Sequence, residues 1–126
     1  MTSVREATVE DLPDALNVID GAALQVDVDR LREAIAADDA LVAVEEGRVL
    51  GALVLDGDRV TAVAVRRARR DQGIGTALVE AAADRRERLV AAFDADVRPF
   101  WESLGFAVEP AEEPNRYRGV LHVGSE

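Results

Sequence analysis

The chain has 126 residues, 48% of them hydrophobic and 32% charged, and its 25 acidic side chains against 15 basic ones leave a formal net charge of −10. That balance fits one soluble globular domain over residues 1–126, with a core large enough to stand without disulfides or structural metal, and it excludes disordered and fibrous classes. The absence of cysteine and a single histidine, His122, exclude a thiolate nucleophile and the usual zinc centres.

In chain order, VREAT (residues 4–8) reads as a first strand, after which Asp11 is placed to cap a helix with Pro13 in its first turn. Leu12, Leu16, Ile19 and Ala23 form the expected buried stripe of that helix. Asp27 can cap a second helix, in which Val28, Leu31 and Ile35 recur at helical spacing before an end near Asp38 and Asp39. Three short apolar runs follow, over residues 41–44, 49–55 and 60–65. The turn formers Glu46-Gly47-Arg48 and Asp56-Gly57-Asp58 separate them, which predicts an antiparallel meander. Residues 76–88 carry Leu78, Ala81 and Ala82 opposite Glu80, Asp84 and Glu87, so a helix is predicted there, feeding a strand over 89–93. A short helix over 98–104 would be closed by Gly105, followed by a strand over 106–109, a loop holding Pro110 and Pro114, and a last strand over 116–123. The predicted order is β-α-α-β-β-β-α-β-α-β-β, an α/β fold with a mixed sheet.

The segment VTAVAVRRARRDQGIGTALV (residues 60–79) carries the most chemistry. A strand runs into an arginine-rich turn, then Gly73-Ile74-Gly75, then a helix whose first free amides, counted from Thr76, lie at the positive end of its dipole. Such a turn receives phosphate. It is not a P-loop, because no Gly-Lys-Ser/Thr follows, and it lacks the six-residue glycine pattern of dinucleotide folds.

Arg70-Asp71-Gln72-Gly73-Ile74-Gly75 resembles the Arg/Gln-x-x-Gly-x-Gly/Ala signature of the GCN5-related N-acetyltransferase (GNAT) family. EEGRVLGALVL (residues 45–55) is similar to the hairpin that precedes that motif, and RPFWESLGF (residues 98–106) is similar to the family's C-terminal motif. The resemblance implies an acyl-CoA N-acyltransferase fold whose fourth and fifth strands splay apart to admit acetyl-coenzyme A. It implies that the backbone of Val63, Ala64 and Val65 pairs with the pantetheine arm. The amides of Asp71, Gln72, Gly73, Ile74, Gly75 and Thr76 would then cradle the pyrophosphate, with Arg70 opening the loop. One or more of Arg66, Arg67, Arg69 and Arg70 would pair with the cofactor's phosphates.

Two positions depart from the family. Asp94 stands where many members carry Asn, and Trp101 stands where many carry a Tyr that protonates the departing thiolate; an indole N–H donates a hydrogen bond but delivers no proton. The remaining candidates for acid and base are Tyr117, the chain's one tyrosine, and the carboxylates Asp58, Asp94 and Glu109, with His122 as a surface alternative. No carboxylate stands within residues 60–65.

The function so implied is transfer of an acetyl group from acetyl-coenzyme A to a primary amine of a small molecule or peptide, by direct attack in a ternary complex. The alternatives are a non-catalytic acyl-coenzyme A sensing module and a docking subunit that keeps the fold without the site. No metal is expected. The −10 charge repels nucleic acid and anionic membranes, and the polar, acidic start of the chain is unlike a secretory leader. A cytoplasmic protein is therefore expected, with a homodimer left open. All its basic residues are arginine, which fits either a high-salt cytoplasm or a GC-rich genome.

Overall fold

Unbroken apolar runs in successive strands require a sheet covered on both faces, and the chain supplies helices to both. In the computed structural model, which describes residues 2–21 and 27–123, β2 (Ala40–Glu45), β3 (Arg48–Asp56) and β4 (Arg59–Val65) form the expected meander. β1 (Ser3–Glu6) adds antiparallel to the outer edge of β2. After a crossover through α3 (Ile74–Ala83), β5 (Arg88–Asp94) lies parallel to β4, and β7 (Arg116–His122) and β6 (Ala107–Pro110) continue the sheet antiparallel. The sheet has seven strands in the order β1-β2-β3-β4-β5-β7-β6.

α1 (Leu12–Gly21) and α2 (Val28–Ala36) bury Ala15, Val18, Ile19, Leu31 and Ile35 against Val42, Ala52, Val54, Ala62 and Ala64 of one face. α3 and α4 (Arg98–Ser103) cover the other, where Leu78, Val79 and Trp101 pack on Leu41, Leu53, Leu89 and Phe93. Among the described residues no helix is long and apolar enough to cross a membrane.

The element order matches the sequence expectation, and several local assignments are corrected. β1 ends at Glu6, because a 3-10 turn (Val9–Asp11) intervenes before α1. Asp11 is the last residue of that turn rather than a helix cap, and its carboxylate reaches back to accept the Thr8 N–H at 2.8 Å. Asp27 does cap α2, accepting from the Asp29 N–H at 2.9 Å, but Val28 is 41% exposed and leaves the buried stripe to Leu31, Ala34 and Ile35. Ala23 lies outside the described residues. α3 spans residues 74 to 83 rather than 76 to 88: it ends earlier because β5 already begins at Arg88, and its earlier start belongs to the site.

Candidate active site

β4 and β5 pair over only two positions, Arg59 with Val90 and Val60 with Ala91. Asp58 holds this short contact. Its carbonyl accepts the Val90 N–H at 2.8 Å, and its carboxylate accepts Arg88 Nε and Nη2 at 2.9 and 2.7 Å. One residue further along, the β3–β4 register slips: Val54 faces Ala62 while Leu55 faces Val60, which leaves Thr61 as an extra residue. A bulge bends its strand and raises the local twist. β5 meanwhile stays in register with β7 from Arg88 to Asp94. β4 therefore turns away from a straight neighbour, and a cleft of about 880 Å³ opens between them.

One wall is β4 from Val60 to Val65, and Phe93, Phe100 and Trp101 form the floor. Beyond Val60 the wall's edge has no strand partner on the β5 side among the described residues. The loop before α3 forms the mouth, and Asp94, Asp96, Val97 and Arg116 also line the cleft. In that loop Asp71 and Gly73 both adopt left-handed backbone, with φ of 65° and 83°. Glycine suits the second position because it carries no Cβ to clash. Gly73 is the N-cap of α3, and its carbonyl already accepts from the Ala77 N–H at 3.0 Å. The amides left without a helical partner are thus those of Ile74, Gly75 and Thr76, not those from Thr76 onward. They stand at the positive end of the helix dipole, facing the cleft.

The expected cofactor residues gather here. Val63, Ala64, Val65, Arg70, Asp71, Gly73, Ile74, Gly75 and Thr76 all line the cleft. The Gln72 side chain instead accepts from Arg69 Nε at 2.7 Å. Of the arginine run, Arg66 donates from Nε to the Val49 carbonyl at 2.7 Å. Arg69 is held by Glu45 at 2.9 Å, and that guanidinium, helped by the Thr2 hydroxyl, keeps the Glu45 pKa below the usual range. Arg70 donates from Nε to the Val65 carbonyl at 3.0 Å and lines the mouth, while Arg67 is exposed.

The ionisable candidates separate. Asp94 lines the cleft and accepts from Arg116 Nη1 at 2.8 Å. Asp58 is at the closed end of the splay, off the cleft, where Arg88 lowers its pKa. Tyr117 is also absent from the lining; its half-buried ring lies under the Arg98 guanidinium, 4.7 Å away. Glu109 pairs with Arg118 at 3.7 Å, and His122 is exposed at the end of β7. Trp101 is buried to 6% exposure, stacked on Phe93 with centroids 5.4 Å apart and edge-on to Phe100 and Phe106. Its bulk shapes the floor. Asp96 and Arg116 line the cleft without having been singled out in the sequence; Arg116 becomes visible only through its register with Asp94 across β5 and β7.

The sequence matches the model of the acetyltransferase (GNAT) domain over residues 36–108. No curated protein matches it. Among solved structures the fold is similar to that of a GNAT-family acetyltransferase from Bacillus cereus, with a TM-score of 0.85 at 13% identity over 99% of both chains. It is also similar to N-acetylglutamate synthase from Neisseria gonorrhoeae complexed with coenzyme A and N-acetyl-glutamate, with a TM-score of 0.83 at 19% identity over 99% of this chain and 36% of that one. PaiA N-acetyltransferase from Thermoplasma acidophilum, in complex with coenzyme A, gives 0.80 at 13% identity over 97% of this chain and 99% of that one. The likeness at such identities is one of fold. The family match covers more than half the chain, from the end of α2 to β6, and so includes β4, the glycine loop, α3 and β5. On that match the chain belongs to the GNAT family of acyl-coenzyme A-dependent N-acetyltransferases.

Proposed function

We propose that residues 1–126 work as one acetyltransferase unit that moves the acetyl group of acetyl-coenzyme A to a primary amine of a small molecule or peptide, by direct attack in a ternary complex. The observation that carries this reading is the cleft itself, which combines a β4 edge without a strand partner beyond Val60, among the described residues, with free α3 amides at its mouth. No side chain from Val60 to Val65 is larger than valine, so an extended arm can reach the backbone of Val63, Ala64 and Val65 as an added strand would. The mouth suits a pyrophosphate: the amides of residues 71–76 meet it, with Arg70 beside them.

Acetyl-coenzyme A brings the activated acyl group. The acceptor nitrogen, as the free amine, bonds to the acyl carbon, the C–S bond breaks, the thiolate leaves with the electron pair, and the proton that the nitrogen sheds on becoming an amide passes to water. Asp94, the candidate carboxylate that reaches the cleft, takes that proton through a water. Asp58 and Tyr117 have structural roles in this reading. Holding two substrates together supplies most of the rate, and a thiol of pKa ~8.5 leaves tolerably as an anion.

A second reading, an acyl-coenzyme A sensor without turnover, is favoured by one observation: among the described residues the lining contains no tyrosine, histidine or cysteine. Calorimetric titration with acetyl-coenzyme A, followed by thiol release with a panel of amines, separates the two. Binding with turnover is expected; binding alone would favour the sensor. A Cβ at Gly75 would touch the Phe100 ring at 3.5 Å, so Gly75→Glu starts a carboxylate side chain inside the cleft, beside the proposed phosphate position. Affinity is expected to fall by at least about thirtyfold, ~2 kcal/mol, and unchanged affinity would remove the phosphate-loop assignment. In the same assay Tyr117→Phe should cost less than about tenfold in turnover; a loss of about a hundredfold would make Tyr117 the acid after all.

A further inference from the structure

The two faces of the sheet present different chemistry to the splay. On β5, Leu89, Ala91 and Phe93 are buried in the cluster under α3 and α4. Strand alternation therefore turns Ala92 and Asp94 to the opposite face, where both are exposed. The antiparallel register carries that face onto β7, because Arg116 lies directly across from Asp94. The glycine loop and the start of α3 belong to the other face. A molecule reaching the gap from the α3 side meets amides and Arg70, whereas one coming from the second face meets a carboxylate and a guanidinium side by side.

That pair is not closed on itself. Asp94 is 67% and Arg116 37% exposed at the side chain, and both line the cleft. Among the described residues Arg116 makes one side-chain hydrogen bond, from Nη1 to Asp94 Oδ1, so its other N–H groups have no protein acceptor. Asp94 Oδ2 is likewise without a protein donor among the described residues. Adjacent unlike charges with spare donors and a spare acceptor are matched by a ligand that carries an ammonium and a carboxylate next to one another. A dication would be repelled by Arg116, and a simple monoamine would leave its guanidinium unused.

We propose that Arg116 determines acceptor specificity, and that the acceptor is an α-amino acid or a similar zwitterion. Its carboxylate takes the free edge of the Arg116 guanidinium, in the two-point manner that this group favours, and its amino group lies beside the splay, one water away from Asp94. The proposal rests on the acyl-transfer reading above and narrows its primary amine to one chemical class.

The test measures thiol release from acetyl-coenzyme A with L-amino acids, with their α-carboxamides and with linear diamines. Wild type should prefer acids over amides by more than about tenfold in kcat/KM, since a site built to bond a polar group rejects the analogue lacking it. Arg116→Gln should erase that preference, mainly through KM, while Arg116→Lys keeps part of it and Arg116→Glu turns it toward the diamines. Coenzyme A affinity, measured by calorimetry on each variant, should not change. Amides or diamines used as well as acids by wild type, or an acid preference that survives in Arg116→Gln, would overturn the assignment while leaving acyl transfer intact. Coenzyme A binding without thiol release from any of the three series would overturn acyl transfer and this proposal together. If Arg116→Gln does not fold, the wild-type comparison and Arg116→Lys decide the matter.

Discussion

Asp11 is the one buried charged side chain among the described residues, at 8% exposure. Arg5 meets it with two donors, at 2.7 and 3.1 Å, and the Thr8 N–H adds a third at 2.8 Å. The Arg5 hydrogen bond, opposed in part by burial and aided by Thr8, holds its pKa below the usual aspartate range. A carboxylate depressed in this way contributes stability that is complete above the ordinary range and is lost as pH falls through the lower, folded value. Asp11→Asn should therefore cost about 1–3 kcal/mol at neutral pH and flatten the acid limb of the pH–stability curve. Urea melts from neutral pH downward check this; parallel curves for variant and wild type would assign the acid sensitivity to other carboxylates. At this same scale the sequence is partly silent about the site. Gly73 is legible because a left-handed turn before a helix favours glycine. Arg116 and Tyr117 are not, since they are sequence neighbours and strand parity sends one to the cleft and the other beneath Arg98.

At the scale of elements, turn chemistry makes the order of strands and helices readable, while their ends shift with backbone details. α3 begins two residues early because Gly73 caps it, and that start is fixed from behind by β3. A Cβ at Gly51 would lie 3.0 Å from the Ala64 carbonyl oxygen, 3.1 Å from Leu78 and 3.2 Å from Ile74. Glycine at this point lets α3 sit close against the sheet, with Ile74 at its first turn. Gly51→Val is expected to destabilise the fold by about 1–3 kcal/mol and to weaken coenzyme A binding as Ile74 is displaced. Thermal melts and coenzyme A titrations run in parallel test both halves; a variant with wild-type stability would show that α3 has room to retreat. The splay itself lies beyond sequence reading of the residues alone. It depends on where a one-residue bulge falls in β4, and VTAVAV offers no glycine or proline to mark Thr61. The family resemblance supplied that expectation.

At the scale of the whole molecule, a net charge of −10 means that folding concentrates like charge. Arginines offset part of it locally. Arg86 ties the end of α3 to Asp39 and to the Gly57 carbonyl, and Arg85 approaches Glu6 at 3.6 Å. Arg88 and Asp58 form an exposed pair. Exposed pairs in general are worth only ~0–1 kcal/mol each, so the net repulsion should dominate the response to salt. The melting temperature is expected to rise between about 0.05 M and about 2 M KCl, where screening shortens the range of charge–charge forces to a few ångströms. A flat or falling melting temperature would remove the high-salt reading of the arginine-only composition and leave genome composition to explain it.

The two-position contact between β4 and β5 has a mechanical side. Four strands with α1 and α2 stand on one side of it and three strands with α4 on the other, so the sheet has a seam down its middle, bridged by α3 and pinned at one end by Asp58 and Arg88. A donor molecule lying in that seam stitches the halves together, and by linkage a concentration about one hundred times its Kd adds about 2.7 kcal/mol against opening. Without a donor the halves are expected to part more often and their inner amides to exchange with solvent sooner. Hydrogen exchange at the inner amides of β4 and β5 is accordingly expected to slow as acetyl-coenzyme A is added, and exchange indifferent to it would show that the seam is closed without a donor.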